Sequence, residues 1–372
     1  MIKIFHTGDL HLDAAFSRLD REERYLARCH QREIFKKMMK YVSDESFDMV
    51  LISGDLFDSG NISPETEECV VSAFASLSCP VIISPGNHDS LSDVPFYSKK
   101  LPENVYIFNT EDMQVFTFDE LRVQVCGYAF VSDCYEKDPL KGFSLPEFDG
   151  VSVLCAHTEL NVPASRYAPI SDADIERIGF SYAALGHIHK PTEPIVRGKT
   201  VISYCGFPEG RAFDETGEGG AMTVVISDSG VSVKKKIFGE KKYYVEHIDV
   251  GYVSDDKELT KKIEEYISER GYGKDTALRL FVRGEAEISF VPDLKGTEKN
   301  LSEKLLQLQL YFELLPRIDR AALEGDRTLK GQVYRKLRDE LDSEDEEVSR
   351  LAYDALKAAI WAIDGREMEG LI

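Results

Sequence analysis

The first 240 residues alternate between short apolar runs and longer amphipathic stretches. The apolar runs are Ile2–Phe5, Met49–Ser53, Val81–Ser84, Val105–Phe108, Val123–Gly127, Val151–Ala156 and Tyr182–Leu185. Helical periodicity lies between some of them, at Glu22–Val42 and Pro64–Leu77. The runs lack the polar residue at every second position that a half-exposed strand shows. They predict strands buried on both faces, hence an α/β sandwich with helices outside the sheets.

The pattern changes after a lysine-rich stretch, Lys234–Lys236 and Lys241–Lys242. A strand (Tyr244–Val250), a helix (Asp256–Arg270) and a second strand (Ala277–Arg283) then predict a small α+β unit. Residues 297–372 read as helical. Ser343 and Glu346 have capping-box spacing, which gives the acidic run Asp342–Glu347 a place at a helix N-terminus. Beyond it, Val348, Leu351, Ala352, Ala355, Ala359 and Ile363 share one stripe, predicted to face a core. The chain thus reads as three regions, 1–240, 243–295 and 297–372.

Composition adds limits. With 43% hydrophobic and 30% charged residues the chain is of ordinary globular type. Met1 leads directly into the first strand and no apolar run reaches about 18 residues, so neither a signal peptide nor a membrane helix is expected. The seven scattered cysteines contain no Cys-x-x-Cys pair, which reads as reduced thiols in a cytoplasmic protein. The net charge of −21 argues against non-specific nucleic-acid binding by the whole surface. Bound divalent cations would offset part of it. One basic stretch runs from Arg18 to Lys40, with Arg21, Arg24, Arg28, Arg32, Lys36 and Lys37 between. It reads either as a solvated, ion-paired helix face or as a ridge that tracks phosphates.

Candidate chemistry sits where the apolar runs end. Asp9-Leu-His11, Gly54-Asp55-Leu-Phe-Asp58, Gly86-Asn87-His88-Asp89, His157 and Gly186-His187-Ile-His189 are clusters of oxygen and imidazole donors. Ligands in open α/β sheets collect at the carboxyl ends of strands, so these loops are expected to converge. Asp9, His11, Asp55 and His189 can chelate one cation. Asn87, His157, His187 and Asp55 can chelate a second, with Asp55 shared. Two cations so placed suit in-line phosphoryl displacement. Mixed His/Asp/Asn ligation suits manganese, iron or zinc better than magnesium. His88 is read as the catalytic residue that meets the phosphate and protonates the leaving alkoxide, with Asp58 orienting it. Gly8, Gly54, Gly86 and Gly186 allow the backbone to approach the site closely. His6 and His30 are read as structural.

In this order, the five segments resemble the calcineurin-like metallophosphoesterase superfamily. Asp9–Phe16, the basic helix, Arg166–Pro169 and Ala184–Pro191 are similar to the SbcD-type exonucleases, and closer still to a YhaO-like bacterial branch. Tyr204–Gly206, Gly210–Gly217, Asp326–Gly331 and Gly365–Glu367 fit the same branch. The resemblance implies a four-layer αββα sandwich over 1–240 and a small capping domain over 243–295. It also implies helices within 297–372 that dock an SMC-like ATPase of the SbcC type. It assigns Asp9, His11, Asp55, Asn87, His157, His187 and His189 to two metals, usually manganese, and His88 to catalysis. A manganese-dependent DNA exonuclease acting in DNA repair, possibly with endonuclease activity, and forming a homodimer, is the expectation. Arg18 and Arg211 are the candidate substrate-binding residues. A phosphodiesterase or phosphomonoesterase for small molecules on the same scaffold is the alternative. A docking protein with a vestigial site is the third reading. Two departures stand out: some relatives carry histidine at Asp58, and Cys205 stands where proline is usual.

Overall fold

In a computed structural model of the chain, residues 1–190, 192–287, 290–317 and 319–365 are described. Pro191, Arg366 and Glu367 of the motifs above, and the rest of 366–372, lie outside them. The chain divides into two compact units, Met1–Lys242 and Tyr243–Ile372.

The first unit holds two six-stranded sheets. In one, β1 (Ile2–Thr7), β2 (Met49–Ile52), β3 (Val81–Ile83) and β4 (Val105–Ile107) run parallel. The antiparallel pair β11 (Gly220–Ser227) and β12 (Gly230–Ile237) extends it beside β1. In the other, β6 (Val123–Gly127), β7 (Val151–His157), β8 (Tyr182–Gly186) and β10 (Thr200–Tyr204) run parallel. Antiparallel β5 (Gln114–Phe118) and β9 (Ile195–Arg197) form its edges.

Period-two alternation explains the layering, because each strand feeds two cores. Met49 and Leu51 of β2 meet Val153, Cys155, Tyr182 and Ala184 of the other sheet. Val50 and Ile52 face outward, onto α1 (Arg21–Asp44) and α2 (Pro64–Ala75). Leu154, Ala156, Ala183 and Leu185 form a third core with α3 (Asp172–Ile178). Each fully buried leucine or isoleucine contributes about 1.5–3 kcal/mol. The α/β sandwich expected from the apolar runs is therefore the observed fold.

Asp20 caps α1 by accepting from the Glu22 and Glu23 amides at 2.9 Å, and Glu23 completes the capping box. Only the second half of α1 is apolar on its inner face, through Ile34, Phe35, Met38, Met39 and Val42. The first half instead ties down the loop after β1: Arg28 donates to the Ala14 carbonyl at 3.0 Å and Gln31 to that of His11 at 2.9 Å.

In the second unit, β13 (Lys242–Val253), β14 (Thr276–Ala286) and β15 (Gln307–Pro316) form one sheet. The helices α4 (Asp256–Glu269) and α5 (Leu294–Ser302) pack on it through Leu259, Ile263, Ile267 and Leu301. Strand β15 corrects the helical reading of 297–372. Its core-facing residues, Leu308 and Leu310, alternate with Gln307, Gln309 and Tyr311, and β15 pairs in parallel with β14. The helices α6 (Arg320–Gly325), α7 (Leu329–Leu341) and α8 (Glu346–Ile363) follow.

Two details of α8 differ from expectation. Asp345, rather than Ser343, is its N-cap, accepting from the Glu347 amide at 2.9 Å. Its carboxylate sits closer to the free amides and also meets the helix dipole. The buried stripe is Ala352, Leu356 and Ile360, with Trp361, whereas Val348 and Leu351 are exposed. Alanines recur around this helix, so periodicity alone does not choose the face. Among the described residues no helix is long and apolar enough to cross a membrane. All seven cysteines are free.

Candidate metal centre

The five donor clusters converge at the carboxyl ends of β1, β2, β3, β7 and β8. His157 is the last residue of β7, and His187 follows the last residue of β8 directly. The loops are tight. Asp9 (φ 48°), His11 (φ 44°), Asp55 (φ 51°) and His187 (φ 102°) all take left-handed backbone conformations. Such conformations cost about 1–3 kcal/mol each and persist where surrounding contacts fix them. Those contacts are visible here. The Asp9 amide donates to the Gly54 carbonyl at 3.0 Å, and the His11 amide to that of Asp55 at 2.9 Å. Gly54 has φ 95°, and a Cβ there would lie 2.3 Å from His157 Nδ1.

Asp89 staples two of these loops together. Its buried carboxylate accepts from the amides of Gly86 at 2.7 Å and Leu56 at 2.8 Å, and from Tyr97 Oη. Burial and the neighbouring Asp55 push its pKa up to about 6.

Asp9, His11, Asp55 and His189 bring one ligand atom each within 4.8 Å of one another. His11 Nε2 and His189 Nε2 face each other at 3.1 Å. Each of these rings carries a carboxylate at its other nitrogen: Asp58 Oδ1 is 3.2 Å from His11 Nδ1, and Glu215 Oε1 is 2.8 Å from His189 Nδ1. A carboxylate at Nδ1 favours the proton there and a lone pair at Nε2, although Asp58 approaches the His11 ring without the alignment of a hydrogen bond. Two lone pairs 3.1 Å apart, beside two carboxylates, are an arrangement that a cation satisfies.

The second group repeats this logic. His157 Nδ1 faces the Ser53 carbonyl at 3.0 Å, so it is the donor and Nε2 is the lone pair. That Nε2 meets Asn87 Oδ1 at 2.8 Å and His187 Nδ1 at 3.3 Å. Asp55 lies between the groups, its Oδ2 3.6 Å from His11 Nε2 and 3.5 Å from His157 Nε2. Its Oδ1 accepts from the His88 amide at 3.0 Å.

The imidazoles differ in charge state: burial would lower His189, but Glu215 and Asp9 outweigh it and raise it above its ordinary range, whereas His11, His157 and His187 shift the opposite way. Burial lowers His11 and His157, and lowers His187 to about 3, which keeps these imidazoles neutral. Burial would raise Asp55, but His157, His11 and His88 outweigh it and hold the carboxylate below its ordinary range. Burial, and then the charge of Asp55, push Asp9 well above that range. Without a cation, Asp9 therefore contributes stability at low pH that is lost as pH rises through its raised pKa. A bound cation must displace that proton. The increase in Tm on adding Mn²⁺ to chelator-treated protein is thus expected to grow as pH rises through the raised pKa of Asp9. Calorimetry in buffers of different ionisation enthalpy should show proton release, and a metal-induced shift in Tm that is flat or falls with pH would contradict this account.

The remaining expected residues divide. His88 is exposed, its ring edge-on to His11 and its Nδ1 3.3 Å from the Asp58 backbone carbonyl. Asp58 thus meets His88 through its main chain, while its carboxylate serves His11. Arg211 is mostly buried, paired with Glu215 and 3.4 Å from Asp58 Oδ1. Arg18 is exposed and makes no ion pair among the described residues. Much of the basic stretch is used internally: Arg32 reaches Thr66 Oγ1 at 3.1 Å, Lys36 pairs with Glu33, Lys37 with Glu240 and Lys40 with Asp44.

His6 is buried between Tyr182 Oη at 2.7 Å and Ser53 Oγ at 3.0 Å, and His30 pairs with Glu209 at 2.7 Å. Both are structural, as read from the sequence. Glu215 is a site residue that the sequence reading misses. Its signal is the Gly210-Arg-x-x-x-Glu-x-Gly217 spacing, in which arginine and glutamate are four apart.

Strand-end loops carrying this donor set on an α/β sandwich define a metal-dependent phosphoesterase. The chain belongs to the calcineurin-like phosphoesterase family, whose family model matches residues 2–191. It is similar to the uncharacterized metallophosphoesterase YhaO of Bacillus subtilis, 25% identical over 324 residues, covering 84% of this chain and 79% of that protein. The D component of the SbcCD nuclease of the same organism is 24% identical, covering 62% and 67% of the respective chains. The DNA double-strand break repair protein Mre11 of Aeropyrum pernix is 27% identical, covering 68% and 64%.

Proposed function

We propose that the chain is a DNA exonuclease of DNA repair that hydrolyses phosphodiester bonds with two divalent cations, manganese first among them. The observation that carries the reading is the place of Asp55 Oδ2, 3.6 Å and 3.5 Å from imidazoles of the two donor groups. Similarity to proteins named as a nuclease component and a break-repair protein supports DNA as the substrate.

Bound cations would supply Lewis acidity and an activated water for attack on phosphorus. Asp9, His11, Asp55 and His189 would hold one, and Asn87, His157, His187 and Asp55 the other. His88 is open to solvent with Nδ1 on a carbonyl; with both ring nitrogens protonated it would present Nε2–H to meet the phosphate and protonate the departing alkoxide. An SbcC-type ATPase docked on α7 and α8 would supply most duplex binding, and the chain would act as a homodimer.

The net charge of −21 and the internal use of the basic stretch favour one other reading, a small-molecule phosphodiesterase. End-labelled single- and double-stranded DNA, incubated with Mn²⁺, Mg²⁺ or chelator, separates the two. Metal-dependent laddering from one end is expected. No cleavage of DNA even with the ATPase partner added, beside rapid turnover of a small phosphodiester, would replace the nuclease reading with the second.

A further inference from the structure

We propose that Glu215, acting with Arg211 and Asp58, is a positioning residue that sets the affinity of one cation of the pair, the one held by Asp9, His11, Asp55 and His189. The proposal rests on the assignment of those four residues to a metal and names what controls it.

The three side chains form a bracket around a single imidazole pair. Glu215 lies on the loop after β10, beyond the segment matched to the family, and is only 2% exposed. Its Oε1 sits on His189 Nδ1 at 2.8 Å. Its Oε2 accepts from the Arg211 amide at 2.8 Å, and both oxygens accept from Arg211 Nε at 3.1 Å. Arg211 Nη1 reaches Asp58 Oδ1 at 3.4 Å, and that same oxygen is 3.2 Å from His11 Nδ1. The path from His189 through Glu215, Arg211 and Asp58 to His11 therefore closes on the two Nε2 atoms that face each other at 3.1 Å. With its guanidinium committed to two carboxylates, Arg211 serves as the fixed centre of the bracket.

Among the described residues, and apart from the shared Asp55, the imidazoles of the other donor group have no carboxylate within hydrogen-bonding distance; Asp9 Oδ1 stays 3.9 Å from His157 Nδ1. His157 Nδ1 rests on a backbone carbonyl, and the His187 ring packs on Tyr167 with centroids 4.5 Å apart. A carboxylate partner raises the basicity of a ligating imidazole and fixes its orientation, and its loss costs about 10–100-fold in metal affinity. Loss of Glu215 should therefore fall on one cation only.

The test is titration of the metal-free full-length protein and its Glu215→Gln variant with Mn²⁺, followed by calorimetry and by electron paramagnetic resonance. His189→Ala and His187→Ala serve as references for loss of each site. Wild type is expected to bind two ions and give a spin-coupled signal. Glu215→Gln should keep one ion at wild-type affinity, weaken the other about 10–100-fold, and match the residual signal of His189→Ala. Asp58→Asn should do the same through His11, and it carries the test if Glu215→Gln does not fold. Equal weakening of both ions, or no weakening, would overturn the bracket while leaving the metal assignment intact. Failure of the wild type to bind Mn²⁺ would overturn both.

Discussion

Asp55→Asn is expected to remove metal-dependent phosphodiester cleavage, by roughly 10³–10⁴-fold, if the cations supply several kcal/mol to the transition state. In the proposed assignment Asp55 is shared by both donor groups, so this one substitution is expected to weaken both cations together. The metal-free fold should survive it. Asp55 and Asp9 are buried side by side, and the charge of Asp55 is among the causes that push Asp9 upward. An amide keeps the acceptor that receives the His88 amide and removes that repulsion. Unfolding of chelated Asp55→Asn should thus occur within about 1 kcal/mol of wild type or above it. Activity retained at a tenth of wild type or more, in protein shown to be free of contaminating nuclease, would remove Asp55 from the shared position.

His88→Ala is expected to lower kcat about 10²–10⁴-fold while leaving metal content unchanged. The ring is exposed, edge-on to His11 and against a backbone carbonyl, so stability should move by no more than about 0.5 kcal/mol. The informative comparison is between leaving groups. A DNA 3′-alkoxide is a poor leaving group and needs the proton. A nitrophenolate leaves unaided. The deficit of His88→Ala should shrink sharply on a nitrophenyl phosphodiester. An equal deficit on both substrates would mean that His88 binds phosphate without delivering a proton.

Asp58 separates what could be read in the chain from what could not. Its position three residues beyond Asp55, in the same motif, pairs it with His88 on spacing alone. Folding gives His88 the Asp58 carbonyl and gives the carboxylate to His11. A loop residue presents both main chain and side chain, and sequence spacing does not say which one a neighbour receives. Glu215 is hidden for a related reason. It lies 26 residues beyond His189, and only the return of the chain after β10 sets it against that ring. On α8, alanines on several faces leave the stripe open, and packing against α7 chooses Ala352, Leu356 and Ile360.

The sequence by itself determined the sandwich and the donor-rich loops at its strand ends. Apolar runs without polar alternation have no stable place except between two layers, and donor-rich loops at their ends have nowhere to gather but at the strand termini. Periodicity and donor chemistry are local properties, so both are written in short segments. Only the tertiary structure decided which acceptors face each other, that Asp55 Oδ2 lies between two imidazole groups, and that Glu215, Arg211 and Asp58 gather around the His11 and His189 rings. These are contacts between segments up to about 200 residues apart, fixed by strand order and loop return, and directional bonds over such separations leave no periodic trace in the chain.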